Sequence, residues 1–190
     1  MRKLWQTAVD LDSAVEEYTV GRDPELDSRL LRYEAIGSLA HASGLVSIGV
    51  LTKPELAKIR KALNALLKKP FKITRAQEDI HTAVEQALTA AIGETGAKVH
   101  AGRSRNDQVQ ADLRLYLKDA LLGLDDRAGA AAAAWAAFGA RHDAVVIPGY
   151  SHLQRAMPTT IGHWAASHVE ALVEARRALR CSPAGSTRSS

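Results

Sequence analysis

An all-α fold follows from three features of the sequence. Thirty-four of the 190 residues are alanine, the strongest helix former. Aromatic residues make up 5% and prolines number six, and with few β-branched runs there is little material for a sheet. Apolar residues recur at three- and four-residue spacing, and from Arg105 to His142 no proline interrupts the pattern. The length suits one domain and the start of a second, with a core that needs no disulfide. The single Cys181 has no partner within the chain. With 46% apolar and 24% charged residues, the balance is globular rather than disordered.

The first predicted helix begins at Asp23-Pro24-Glu25, read as an N-cap, a proline in the first turn and an early acid. Leu26, Leu30, Tyr33, Gly37 and Ala40 form its expected buried stripe, and Gly37, Ala40 and Gly44 suggest close approach by another helix. Thr52-Lys53-Pro54-Glu55 spells a capping box. Behind it Leu56, Ile59, Leu63, Leu66 and Leu67 form a stripe that stops at Pro70. A third helix is expected from about Asp79 to Ile92, with Ile80, Val84, Leu88 and Ala91 inward and Gly93 as its stop.

From Arg105 to His142 the pairs Leu117/Leu121, Leu124/Ala128, Ala131/Trp135 and Phe138/His142 hold a seven-residue repeat. A helix of that length is about 55 Å long, more than a small globule covers, so it implies a bundle shared between chains. Val145 to Pro158 reads as a short connecting loop with two prolines and a glycine. A second heptad helix follows, with Ile161/Ala165, His168/Leu172 and Ala175/Leu179.

The net charge of +4 is uneven. Lys53 to Arg75 holds eight basic residues and one acid, Glu55. With no interleaved aromatic beyond Phe71 and no nucleic-acid motif, this reads as a solvated helix face. The basic opening lacks the apolar region of a signal peptide. No apolar run reaches membrane-spanning length. The expectation is a soluble cytoplasmic protein with no nucleic-acid or membrane partner.

Three segments are too polar for their positions. His100 to Gln108 lies at the start of the long helix, where free amides and the helix dipole favour an anion. Ser104, Arg105 and Asn106 add a hydroxyl, a guanidinium fork and an amide, a set that suits a carboxylate or phosphate. The plainer reading is a capping Ser104 with a solvated first turn. Pro148 to Arg155 can present His152 for acid–base work near neutrality, with Ser151 beside it to bond a substrate oxygen; the plainer reading is a loop histidine bonded to a carbonyl. Glu78 to Glu85 puts His81 and Glu85 on one helix face. That is half a metal site at most, and an i,i+4 pair or a cap explains it more simply. The other histidines, His41, His142, His163 and His168, read as packing or surface residues.

Together these segments resemble the argininosuccinate lyase family of the aspartase/fumarase superfamily. The matching stretches are GRSRNDQV (Gly102 to Val109), PGYSHLQRAMP (Pro148 to Pro158) and EDIHTAVE (Glu78 to Glu85), with weaker support from Leu26 to Leu45. The resemblance implies a helical N-terminal domain, a long central five-helix bundle and a small C-terminal domain, with four chains pooling their bundles. On that pattern residues 1–103 are the helical N-terminal domain, 104–180 the first two bundle helices, and 181–190 an aberrant polar tail. It implies reversible β-elimination of argininosuccinate to arginine and fumarate in a homotetramer, with no metal or organic cofactor. His152 matches the acid–base histidine. Ser104, Arg105, Asn106, Ser151, His81 and Gln154 match substrate-contacting positions, with serine at 151 where the family usually has threonine. His81 matches a motif near the site.

One family segment has no counterpart in the chain. The flexible loop of the type GSSxMPxKxNP, with its catalytic serine and substrate lysine, is missing, and Ser182-Pro183-Ala184-Gly185-Ser186 runs instead into TRSS. The expectation is an N-terminal part of such a lyase, inactive alone. Two other readings stay open: a truncated, catalytically silent helical protein that self-associates, and another superfamily lyase acting on a different amino-succinate.

Overall fold

A computed structural model describes residues 12–182. The chain divides into two compact units, which meet between Tyr116 and Leu117. Eight helices and one hairpin follow in order: α1 (Ser13–Val20), α2 (Asp23–Asp27), α3 (Leu31–Ser47), α4 (Lys53–Leu66), α5 (Ile80–Ile92), α6 (Glu94–Ala97), α7 (Arg105–Arg141), β1 (Val146–Ser151), β2 (Gln154–Thr160) and α8 (Ile161–Cys181). Single 3-10 turns at Ser28–Leu30 and Lys98–His100 complete the path. The expected tail at 181–190 falls almost wholly outside the described residues.

In the first unit, α3, α4 and α5 enclose a core built on Leu45, Ile59, Leu63, Ile80, Val84 and Leu88, all at most 5% exposed. The Thr52 capping box forms as its sequence predicts: Thr52 Oγ1 accepts from Glu55 N, and Glu55 Oε2 accepts from Thr52 N. Lys98 extends it by donating to Glu55 at 3.0 Å. Those bonds hold the Glu55 carboxyl down at about 2. Helix α5 is capped by Asp79, which accepts from Thr82 N, and it stops at Gly93 with φ +62°. Gly96 is buried against the backbone of Leu88, where a Cβ would lie 2.5 Å from carbonyl atoms.

Several expectations from the sequence differ from the structure. The position before α2 is Arg22, without a side-chain cap, so Asp23 lies inside the first turn. That helix lasts five residues, and the long helix starts afresh at Leu31. The buried stripe of α3 is not Leu26, Leu30, Tyr33, Gly37 and Ala40. Of these Leu30 is buried, whereas Leu26 and Ala40 are exposed, and the inward face is Glu34, Ala35, Ser38, Ala42 and Leu45. Polar residues on that face hide it from a hydrophobicity count. Ala91 of α5 is exposed, and the buried face of that helix includes Ala83 beside Ile80, Val84 and Leu88. The close approach expected at Gly37 is present, since a Cβ there would stand 3.1 Å from Asp112 Oδ1 and 3.3 Å from Arg103 Nη2. At Gly44 nothing lies within 4 Å.

In the second unit the last part of α7 runs antiparallel to α8. Gly139 meets Ala165, Trp135 meets Trp164 and His168, and Asp125 meets Arg176 and Arg180. Asp125 Oδ1 accepts from Arg176 Nε at 2.7 Å, and Oδ2 accepts from Arg180 at 3.2 Å. The bond from Arg176, with help from Arg180, holds the Asp125 carboxyl at about 2. The sheltered seam of α7 is thus Asp125, Ala132 and Gly139, seven residues apart, rather than the predicted Leu117 and Leu124 positions, which are 48% and 44% exposed. Small residues let the two helices close on each other, and the larger apolar side chains, Leu117, Leu124 and Trp164 among them, stay open.

Val145 to Pro158, expected as a loop, instead contributes an antiparallel hairpin in which Ser151 pairs with Gln154. Pro148 faces Pro158, so neither costs the ladder a donor that its neighbour needs. A register shift between Pro148 and Tyr150 leaves Gly149 against Met157 O, 2.7 Å from where a Cβ would be. The two-residue turn is His152-Leu153, with φ of +50° and +63°. Two-residue hairpin turns ask for positive φ, usually from Asn and Gly. Here His and Leu take that conformation, which is why the turn chemistry was invisible in the sequence.

Candidate active site

In the first unit, five polar side chains are buried together. Glu34 and Ser38, one turn apart on α3, face His81 on the first turn of α5 and Gln108 and Asp112, again one turn apart, on α7. All are at most 5% exposed. The Glu34 carboxylate is the hub. Its Oε2 lies 2.7 Å from His81 Nδ1; an ionised carboxylate only accepts, so Nδ1 carries the hydrogen. Its Oε1 accepts from Ser38 Oγ and from Gln108 Nε2 at 3.0 Å. Arg103 donates to Ser38 Oγ at 2.8 Å and stands 3.8 Å from Glu34 Oε1.

Burial works to raise the Glu34 pKa, but the bonds from His81 and Ser38 outweigh it and hold the group at about 2. Asp112 moves the other way. Burial first, and then the adjacent Glu34 carboxylate, push it up to about 8. Neither Asp112 oxygen meets a hydrogen-bond donor among the described residues, so the group is best served by keeping its own proton.

A pH dependence follows. Asp112 gives up its proton near 3.8 when unfolded and near 8 when folded. Between those values the folded chain binds more protons, and this group's contribution to stability falls as pH rises. Glu34 has the opposite sign and gains its stabilising charge as pH climbs from about 2 past 4.5. The unsubstituted chain is therefore expected to lose stability from about pH 5 to about pH 8, and Asp112→Asn to show a flatter profile over that range. Urea unfolding at the two ends of the range measures both; parallel profiles would sink the assignment.

Glu34, His81 and Asp112 each offer an atom that could ligate a metal, all within 4.8 Å of one another. The Arg103 guanidinium, 8% exposed, already supplies the positive charge such a group of carboxylates attracts. The expected pairing of His81 with Glu85 is not found: His81 turns to Glu34, and Glu85 lies 3.9 Å from His100.

Ser104, Arg105 and Asn106 stand at the start of α7. Ser104 is exposed, and its Oγ accepts from Asn106 N at 3.3 Å, so the capping role is real. Asn106 is also exposed. Arg105 is half-buried and leans onto the start of α5, donating to Thr82 Oγ1 at 3.0 Å with Nη1 3.5 Å from Asp79. Ser151, His152 and Gln154 belong to the second unit and cluster, all exposed, at the hairpin tip. The positive φ at His152 and Leu153 holds the tip in a conformation that side-chain-bearing residues avoid, a feature found often at functional sites.

The sequence alone points to no role for Glu34 or Asp112, and it marks Arg103 and Gln108 only as members of the polar segment at the start of α7. The available signal was polar residues at i,i+4 on two helices, Glu34/Ser38 and Gln108/Asp112, set where apolar ones belong.

The chain matches the lyase family over residues 9–185. It is 42% identical over 186 residues to the argininosuccinate lyase of Sorangium cellulosum (strain So ce56), covering 96% of this chain and 43% of that one. It is 40% identical over 177 residues to the argininosuccinate lyase of Parabacteroides distasonis, covering 91% and 40%. The chain thus spans about two-fifths of the length of these relatives. Among solved structures it resembles a variant of EDDS lyase with bound fumarate, at a TM-score of 0.71 and 28% identity, over 92% of this chain and 35% of that one. A β-carboxy-cis,cis-muconate cycloisomerase from Acinetobacter calcoaceticus shares the fold at a TM-score of 0.67 and 18% identity.

Proposed function

The chain belongs to the lyase family, and from that membership we propose that it is the N-terminal part of an argininosuccinate lyase, serving the formation of arginine and fumarate. The observation that carries this reading is the pair GRSRNDQV and PGYSHLQRAMP, together with about 40% identity to curated argininosuccinate lyases along nearly the whole chain.

The reaction removes a proton from the carbon next to a carboxylate and breaks the bond to the guanidino nitrogen. The C–H electrons become the fumarate double bond, and the leaving nitrogen takes a proton as arginine departs. His152 is the acid–base group of this cycle; support comes from its exposed place at the hairpin tip, open to a substrate. Ser151 and Gln154 flank it as substrate contacts. Ser104, Arg105 and Asn106 offer a hydroxyl, a cation and an amide at a helix start, where a substrate carboxylate and the charge developing beside it gain from preset dipoles. Residues 1–103 then serve as the N-terminal domain and 104–180 as bundle helices of a homotetramer in the cytoplasm. The exposed Leu117, Leu124 and Trp164 support association with further helices. No described helix is long and apolar enough to cross a membrane.

A chimaera tests the activity. Residues 1–180 placed on the remainder of the Sorangium cellulosum lyase should release fumarate from argininosuccinate, read by its ultraviolet absorbance. A folded chimaera without turnover, beside an active parent, would reject the reading. Residues 1–190 alone should give no turnover, because they hold no GSSxMPxKxNP-type segment; measurable fumarate release from the purified chain would contradict this.

A further inference from the structure

We propose that Glu34 is a positioning residue: its carboxylate ties down both flanks of the Ser104–Arg105–Asn106 segment and thereby sets how that segment meets a substrate. The inference rests on the lyase reading for the word substrate, and on geometry for the rest.

The segment lies between Arg103 and Gln108 in the chain. Both flanking side chains turn inward, and both reach the same oxygen of Glu34. Gln108 Nε2 donates to Oε1 at 3.0 Å. Arg103 reaches Oε1 directly at 3.8 Å and also through Ser38, which accepts from Arg103 and donates to that oxygen. The other oxygen, Oε2, is held by His81 Nδ1. A carboxylate gripped on both sides inside a core cannot swing, because any other rotamer would leave several buried polar groups unpaired. Gly37 supplies the room, since a side chain there would meet Arg103 Nη2 and Asp112 Oδ1. The turn that delivers Arg103 inward runs through Gly102 at φ +64° and an Arg103 N to His100 O bond of 3.2 Å.

The consequence for the exposed residues is geometric. Ser104 and Asn106 have no buried anchor of their own among the described residues, so their direction is inherited from Arg103 and Gln108. Arg105 is steadied separately by Thr82 and Asp79. In this arrangement His81, 2% exposed, acts through Glu34 rather than by touching a substrate.

The test compares Glu34→Gln with Leu63→Ala, which opens a cavity on the α4 side of the same core. In the chain itself, amide hydrogen exchange at Gln108 to Gln110 should speed by about tenfold in Glu34→Gln beyond any change in the rest of the unit. Leu63→Ala should speed exchange across α3, α4 and α5 with no excess at Gln108 to Gln110. Arg103→Lys is the second variant, should Glu34→Gln fail to fold, and it should reproduce the local loosening. Equal patterns in both kinds of variant, or no loosening at the start of α7, overturn the role. The chimaera supplies the catalytic arm: Glu34→Gln should lower kcat by about tenfold or more with a smaller change in KM, as expected when a binding segment is misplaced by a fraction of an ångström. Unchanged kcat in an active chimaera overturns the positioning role alone. An inactive unsubstituted chimaera overturns the lyase reading while the exchange result still stands.

Discussion

Replacing His152 by asparagine in the active chimaera is expected to lower turnover by about two to four orders of magnitude, the usual weight of a general acid–base group. Asparagine keeps a hydrogen-bonding side chain of similar reach but has no proton to exchange near neutrality. The tip tolerates it well, because asparagine is enriched at positive φ and His152 sits at +50°. Loss of activity would then report chemistry rather than a broken turn. Steady-state rates of fumarate release make the measurement, and near-normal turnover would remove His152 from the mechanism.

The second large effect is on stability. Glu34→Ala should cost about 3–5 kcal/mol, the range for removing one member of a buried ionic pair. The loss has two parts. A cavity opens in the middle of α3, His81, Ser38 and Gln108 lose an acceptor, and the Arg103 guanidinium loses its counter-charge. Urea unfolding followed by far-ultraviolet circular dichroism, with an unchanged slope, gives the number. A loss under about 1 kcal/mol would mean that the cluster relaxes or hydrates, and that Glu34 is no hub.

Much of the fold was legible. The capping box at Thr52, the stop at Gly93 and the uninterrupted run from Arg105 were read correctly because each is decided within a few residues of chain. Caps, glycine at positive φ and the absence of proline act locally. The candidate site was legible only as motifs. GRSRNDQV and PGYSHLQRAMP stood out as polar stretches in the wrong places, and their family match supplied roles. What the motifs did not reveal was support: that Arg105 leans on Thr82 and Asp79, or that His81 answers Glu34 rather than Glu85.

Local pattern misleads where a distant partner overrides it. Apolar spacing alone points to a different α3 stripe, yet Glu34 and Ser38 face inward because His81, Arg103 and Gln108 arrive there from other parts of the chain to satisfy them. The α7 seam was assigned to its leucines, yet Asp125 lies inward because Arg176 and Arg180 come to it from α8. The loop at Val145 to Pro158 became a hairpin because paired strands satisfy backbone groups that no single strand can.

The sequence by itself determined the helices, their caps, the polar segments and the family. Tertiary structure alone decided which polar residues are buried, which carboxyl keeps its proton and how the Ser104–Asn106 segment is held. The physical reason is range. Helix formation depends on neighbours three and four residues away, whereas burying a charge is tolerable only with partners that the chain brings from 47 to 74 residues off.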